Sequence, residues 1–430
     1  MKKIQNDLQK LGIAKIIFLG GLLLTEIAML VAAYITRGEA FQNLLYADKK
    51  DTFMDFYNVM ILGKNPYTQG HIYPPLIHVI LSALGHFIPY EFRDQGAFAV
   101  RGSQLGMMVL LIWMFVQIYL FAVLFRMLYK SCARDKECVW ERELLLVLLL
   151  LSLPFLWCFE RGNSIFLALV CLIPYILWYH SENKWLRLLA YIGLAASASI
   201  KIYPAIFGLL LVREKRWKQT FRLLAAGILV FLFPFLLLER ENRNPLSLIQ
   251  NLLHATTVFS QTGTGYRHDL STTFRVLGEL SGNDFTFAGK IITLLLGVVG
   301  LWLFFTRRKM SKWKVYGILA LLMILVTGLN YTYSLIFMVV PLVFFLQDEN
   351  EKSKGMQAIY AVLFLMIFMP VVLPNNQDIL GNFTDPTKPL IWSTVIANVG
   401  LQLMLLFIYG QELREIFLER KQRCTRKALQ

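Results

Sequence analysis

Apolar runs of roughly 20 residues, each flanked by charge, recur along almost the whole chain, and a helical run of that length matches the hydrocarbon core of a bilayer. The rest of the composition agrees. The chain has 430 residues, of which 57% are hydrophobic and 17% charged. A soluble domain carries about a quarter charged residues and could not hide this much apolar surface in one core. The expected fold class is therefore an all-α polytopic membrane protein. Its first run starts at Ala14, after a basic segment containing Lys2, Lys3 and Lys10, and reaches Thr36. It is longer than a signal-peptide core and no small-residue cleavage site follows, so it reads as a retained helix.

Twelve membrane helices are predicted, at about 14–36, 104–128, 143–159, 164–180, 186–200, 202–213, 219–238, 288–306, 313–329, 331–346, 357–373 and 391–410. A further apolar stretch, 74–89, is predicted to lie on the outer face without crossing. Charge decides this. With the N-terminus in the cytosol, the segments 1–15, 126–142, 180–187, 213–222, 307–314, 347–355 and 411–430 face inward and carry 29 of the 43 lysines and arginines. A crossing at 74–89 would put Lys130, Arg134, Lys136 and Arg142 outside and invert every later loop. Both termini are then cytoplasmic, in a single domain spanning 1–430 with a basic tail at 411–430. The long segments 37–103 and 239–287 lie outside, and the expected location is the plasma membrane. The net charge of +15 is a topology signal and an attraction to anionic headgroups, not a nucleic-acid footprint. There is no P-loop and no GxGxxG, which disfavours an ATP-driven transporter. The five cysteines form no CxxC pair and read as reduced, unpaired thiols.

Chemistry-bearing residues gather on the predicted outer face. Asp55 follows the first helix, where a carboxylate can serve as a general base on a hydroxyl. Asp51, nearer Lys49 and Lys50, competes for that role, and a solvated loop acid is the plainer alternative. Gly63 and Pro66 suggest a turn after a short helix carrying Asp55. Pro74 and Pro75, after His71-Ile72-Tyr73, suggest a fixed start to an apolar helix. Glu160-Arg161-Gly162-Asn163 is a polar connection between two helices, either a tight turn or part of a site. Lys201 stands at a helix break before Tyr203-Pro204. It suits a phosphate ligand, or it snorkels. The stretch Ser260 to Ser271 is rich in glycine and hydrogen-bonding groups, with Arg267, His268 and Arg275 as candidate anion contacts. Asn330 to Tyr333 forms another polar, aromatic patch. Glu26 lies inside the first membrane helix, as a functional acid or a structural partner. Asp55, Tyr73, Asn163, Lys201, Ser271 and Tyr331 share one face by a topology fixed from charge alone.

These residues resemble glycosyltransferase family 87, a GT-C group that includes polyprenol-phosphate-mannose-dependent mannosyltransferases. The similar features are Asp55-Phe56-Tyr57 with Gly63-x-x-Pro66-Tyr67, then Tyr73-Pro74-Pro75-Leu76. Gly162-Asn163 and Lys201-x-Tyr203-Pro204 follow, with the basic loop Arg213–Arg222 after them. The resemblance covers most of the chain and is weakest after residue 350. It implies a GT-C fold with a long first extracytoplasmic loop and an extracytoplasmic site. It also implies a hexosyltransferase using a polyprenyl-phosphate-linked sugar donor, with a mannosyl donor as the family's best-known case, and a glycolipid or glycan acceptor. Asp55 takes the place of the base, Lys201 pairs with the donor phosphate, and transfer inverts the anomeric centre. Tyr73, Asn163, Tyr203, Arg267, His268, Ser271 and Tyr331 are the accompanying binding candidates. Relatives have a histidine near the position of the Asn330–Tyr333 patch. Tyr331 and Tyr333 stand there instead, with His268 or His254 as substitutes. The second acid of some GT-C metal sites is not evident, so no metal or other cofactor is expected. The alternatives are a flippase for a lipid-linked saccharide, which needs polar residues through several helices, and an O-antigen-type polymerase resting on Arg267 and Arg275.

Overall fold

The computed structural model describes residues 12–44, 49–133, 138–259, 267–328, 330–348, 353–371 and 392–428. The glycine-rich residues 260–266 and the fifth cysteine's side chain, at Cys424, lie outside what it describes. The described residues are helical apart from turns and one isolated bridge between Arg267 and Tyr331.

Helix α1 (Ile13–Ile35) leads into the long segment 37–103, which is folded into short helices and turns wherever it is described. It consists of α2 (Glu39–Leu44), α3 (Met54–Leu62), α4 (Pro75–Gly85), α5 (Tyr90–Asp94) and α6 (Ala97–Gly102), with 3₁₀ turns at Lys49–Asp51 and Tyr67–Gln69. Helix α7 (Gln104–Cys132) follows, its Ser103 hydroxyl accepting the Gly106 N–H at 3.0 Å as an N-cap. Helices α8 (Val139–Leu151) and α9 (Leu153–Arg161) meet at 52°. Ser152 has extended backbone there, and Pro154 sits in the first turn of α9, where a missing N–H does no harm. Next come α10 (Ile165–Trp178) and α11 (Lys184–Ile200), then a 3₁₀ turn at Tyr203–Gly208 and α12 (Leu209–Arg213). Helix α13 (Trp217–Leu232) tightens to 3₁₀ at Phe233–Leu237, around Pro234. The second long segment, 239–287, holds a 3₁₀ turn at Arg240–Asn242, α14 (Pro245–Phe259) and α15 (Leu270–Ser281). The chain ends with α16 (Thr286–Thr306), α17 (Lys312–Leu325), a 3₁₀ turn at Thr332–Met338, α18 (Val339–Leu346), α19 (Lys354–Phe368) and α20 (Trp392–Ala428).

Helices stand where the apolar runs place them, but their lengths divide them. Among the described residues five are long and apolar enough to cross a membrane, namely α1, α7, α13 with its 3₁₀ end, α16 and α20, and the bent pair α8–α9 would be a sixth. The other apolar segments are 10–17 residues long, so twelve crossings do not follow from helix length. Pro204 and Pro341 account for part of the shortening, because each removes a backbone donor near the switch between 3₁₀ and α structure. Helices α10 and α17 are buried almost all round and form the centre. By contrast α1, α7, α13 and α16 expose large apolar side chains such as Leu24, Phe115, Leu229 and Leu294. Apolar surface of this extent on several helices is what lipid covers.

The polar contacts sort into two poles. At one, Lys15 pairs with Glu141 at 2.7 Å, Arg126 with Glu143 at 2.6 Å and Arg307 with Glu412 at 3.0 Å. Arg213 donates to the Phe304 and Arg307 carbonyls there. These basic residues all belong to segments assigned to the inner side by charge. At the other pole Asn65 bonds Glu239 and Asn242, and Asn251 reaches the carbonyls of Tyr67 and His71, each at 3.0 Å. These contacts bind the segments 37–103 and 239–287 together.

Candidate active site

The site lies at this second pole, where α3, α4, α9, α11 and the Thr332–Met338 turn converge. Asp55 sits in the first turn of α3. Phe53, before that helix, is held at φ 64°, a left-handed conformation unusual for a bulky residue. Its N–H donates to the Glu160 carbonyl at 2.7 Å, which ties the start of α3 to the end of α9. Gly162 closes α9 at φ 61°, and a Cβ there would meet the Cβ of Phe56 at 2.9 Å. Only glycine lets the two chains approach this closely.

That approach places Arg161 and Asn163 on either side of Asp55. Arg161 Nη2 donates to Asp55 Oδ1 at 2.6 Å and Asn163 Nδ2 donates to Oδ2 at 2.6 Å. Arg161 also bonds the Asp51 carbonyl at 3.1 Å and reaches its carboxylate at 3.5 Å. Asp51 is thus an outer partner of the arginine, and Asp55 is the acid held at the centre. Asn163 is fixed three ways. Besides Asp55, its Nδ2 reaches the Tyr73 hydroxyl at 3.3 Å, and its Oδ1 accepts the Ile165 N–H at 2.9 Å at the start of α10.

Lys201 approaches from the opposite side. It ends α11 in extended backbone, with its N–H still bonded to the Ser197 carbonyl at 3.0 Å. Its Nζ stands 3.3 Å from the centroid of the Tyr73 ring and 5.9 Å from that of Tyr333, a cation over two aromatic faces. The residue is only 6% exposed, and among the described residues its ammonium makes no hydrogen bond or ion pair. Burial lowers its pKa from 10.5 to about 7, with the negative charge of Asp55 acting the other way. Burial pushes the Tyr73 phenol up, and the Asp55 charge adds to it. Tyr203 packs edge-on against Phe337 at 6.0 Å, beside this group.

A family model for glycosyltransferase family 87 matches residues 72–328. The chain belongs to glycosyltransferase family 87. Its activity is accordingly glycosyl transfer, on a scaffold carrying membrane-length helices. The matched stretch contains Tyr73, Arg161, Asn163 and Lys201 of the candidate site, while Asp55 precedes it and Tyr331 follows it. No curated protein and no solved structure matches the chain significantly.

The remaining predicted residues of this glycosyltransferase form a clasp behind the site. Arg267 is buried, and its Nε and Nη2 both lie 2.8 Å from Asp269 Oδ2. His268 is fully buried. Its N–H donates to the Asn330 carbonyl at 2.8 Å and its Nε2 stands 3.1 Å from Thr332 Oγ1. Burial holds its imidazole down at about 4. Ser271 is exposed and donates to Asp269, which also caps α15 through the Thr272 N–H. Tyr331 joins the two groups, bridging to Arg267 through backbone and lying 5.8 Å from the Tyr333 ring. Arg275 is half-buried on α15, and His254 is exposed on α14. Glu26 is buried in α1 with neither carboxylate oxygen hydrogen-bonded. Among the described residues no group of three His, Cys, Asp or Glu side chains is placed to hold a metal ion. Three participants carried no role in the sequence reading. Arg161 appeared only within a polar connection that was either a turn or part of a site, Tyr333 only as part of an aromatic patch, and His71 only as a neighbour of Tyr73. The first had a signal, since the spacing of Arg161 and Asn163 around a glycine suits two side chains flanking one acid.

Proposed function

We propose that the protein transfers a hexosyl group from a polyprenyl-phosphate-linked sugar to a glycolipid or glycan acceptor, at the extracytoplasmic end of a twelve-crossing bundle in the plasma membrane. The observation that carries this reading is Lys201, a buried ammonium beside two aromatic faces that pairs with no acid among the described residues, within electrostatic reach of a hydrogen-bonded aspartate. A buried cation of this kind is compensated best by an anion on the ligand. A lipid phosphate supplies one, and nucleotide sugars are confined to the cytosol.

The reaction then runs as a single displacement. Asp55 accepts the proton of the acceptor hydroxyl through a lone pair that Arg161 and Asn163 leave free. The acceptor oxygen bonds to the anomeric carbon while the bond from that carbon to the phosphate oxygen breaks. The electron pair stays on the phosphate, and Lys201 offsets the charge that develops there. Inversion follows from attack on the face opposite the leaving group. Arg161 and Asn163 hold the base in position, and the clasp of Arg267, His268 and Ser271 supports Tyr331 from behind. No metal is needed for these steps.

The test is transfer by purified protein from a panel of polyprenyl-phosphate sugars. Activity should fall in Asp55→Asn and Lys201→Ala, and full activity in Asp55→Asn would sink the proposed base. Labelling of Asn65→Cys in intact cells tests sidedness, because a cytosolic position would overturn the assigned topology.

A further inference from the structure

His71 lies against the site but takes no part in the steps above. Its backbone is fixed by its N–H to the Pro66 carbonyl and by its carbonyl to Asn251 Nδ2, each at 3.0 Å. The turn before it needs Gly70 at φ 75°. The ring is fixed as well. His71 Nδ1 stands 3.0 Å from Nε2 of His78, a fully buried residue of α4, and the two rings lie 4.7 Å apart. The Tyr67 ring packs edge-on against His78 at 6.1 Å, and the His71 ring stands edge-on to Tyr73 at 4.7 Å. The imidazole is thus one ring away from Lys201, which sits on the same Tyr73 ring.

This arrangement leaves His71 Nε2 available. The His78 contact occupies Nδ1, no bond to Nε2 is recorded among the described residues, and the atom is not among those sealed from solvent. The charges of Lys201 and Asp55 both reach the ring. Burial, with Lys201 adding to it, lowers the pKa to about 4, so the imidazole is neutral at ordinary pH. A neutral ring does not neutralise a phosphate, a task that Lys201 already fills. It suits a neutral polar group, and a hydroxyl fits either tautomer because it both donates and accepts.

We propose that His71 Nε2 reads one hydroxyl of the transferred sugar, with His78 holding the ring in register. His71 is then a specificity-determining residue and His78 a positioning residue. The inference rests on the proposed function and narrows it, because it says which side chain selects among hexoses.

The experiment crosses two substitutions with a set of donors. His71→Gln places an amide nitrogen near the Nε2 position, and His71→Asn places one near Nδ1 only. Both remove the imidazole, so a general loss of packing strikes both alike, and thermal unfolding is measured for each. The donors are the best polyprenyl-phosphate hexose and its monodeoxy forms, assayed with the full-length protein in lipid nanodiscs. His71→Asn should lower kcat/KM for the parent sugar by about 10- to 100-fold, the worth of one buried hydrogen bond. His71→Gln should keep most of the activity. One deoxy donor should be equally poor with wild type and His71→Asn, because the contact is already gone. Losses that multiply for every deoxy donor overturn this inference alone. A wild type that uses no polyprenyl-phosphate sugar overturns the proposed function and this inference with it.

Discussion

Lys201→Met removes the ammonium while leaving an unbranched apolar chain over the Tyr73 ring. Two opposite effects should follow. Stability should rise at neutral pH. The unfolded lysine holds its proton to about 10.5, whereas the folded one loses it near 7. At about 1.36 kcal/mol per pH unit, this withholds on the order of 4 kcal/mol of stability at pH 7. The unfolded state binds more protons between pH 7 and 10.5, so wild-type stability should climb across that window. The advantage of Lys201→Met should shrink in step. Activity should fall, by about 10²- to 10³-fold in kcat, as when one charge-stabilising donor is removed from a transition state. In the wild type, kcat/KM should decline as pH rises through about 7, because the free enzyme loses the charge that receives the donor. The profile of kcat should decline at higher pH, since a bound phosphate favours the protonated amine. Thermal unfolding across pH and pH-resolved transfer kinetics measure both effects. A variant with unchanged kcat and KM refutes the phosphate role. A variant no more stable than wild type at pH 7 refutes the account of a buried, uncompensated charge.

Other substitutions probe the remaining parts. Asp55→Asn should lower kcat by about 10²- to 10⁴-fold in the transfer assay, and should cost about 1–3 kcal/mol in unfolding because an amide nitrogen then faces Arg161 or Asn163. Gly162→Ala should destabilise by about 1–2 kcal/mol from its left-handed backbone alone, with more from the Phe56 contact, and should slow transfer by shifting Asp55. Glu26→Gln should leave transfer within about threefold and stability unchanged or higher, because a neutral amide replaces a buried carboxylate without partners; a large loss of transfer would revive a midplane site and the carrier reading. Glu412→Gln should destabilise by about 1–3 kcal/mol, as Arg307 and Lys314 lose their shared acid while Arg307 keeps Glu419, without changing donor KM.

The sequence made legible whatever depends on composition or on one segment at a time. Helix positions followed from apolar runs, and the partition into two poles followed from charge, because bilayer partitioning acts on each segment independently. The helices at 39–44, 90–94 and 97–102 were not legible. They are short and have no strong period, and they exist because of what they pack on: 39–44 on α1, 90–94 on 97–102, and 97–102 on α3 and α7. The bend at Ser152 and the 3₁₀ turns were equally hidden, since helical hydropathy runs straight through them. At the candidate site, Asp55, Asn163 and Lys201 stood out because their residue types are out of place beside apolar helices. The reading of Arg267 and His268 as anion contacts used the same logic. It could not see Asp269 and Thr332, partners 2 and 64 residues away. A single sequence shows that a polar residue is unusual, but not which neighbour already occupies it.

That distinction between occupied and unoccupied polar groups also argues for where chemistry happens in this molecule. Arg213, Arg307, Lys314 and Glu412 at the basic pole, and Arg267 and Asp269 in the clasp, bond to one another or to backbone, so their polarity is spent on holding helices together. At the site the pattern differs. Lys201 has aromatic faces but no recorded anion, and His71 has one nitrogen bonded and one open. Asp55 is gripped on both oxygens yet keeps lone pairs free. Phe53 and Gly162 hold left-handed backbone beside it. Each feature lowers stability or forgoes a bond that a purely structural core would make. They cluster within a few side chains of one another, as expected where a ligand completes the missing interactions. A ligand with an anion for Lys201, a hydroxyl proton for Asp55 and a hydroxyl for His71 would satisfy all three at once, and a phosphate-linked sugar meeting a hydroxylated acceptor has these groups.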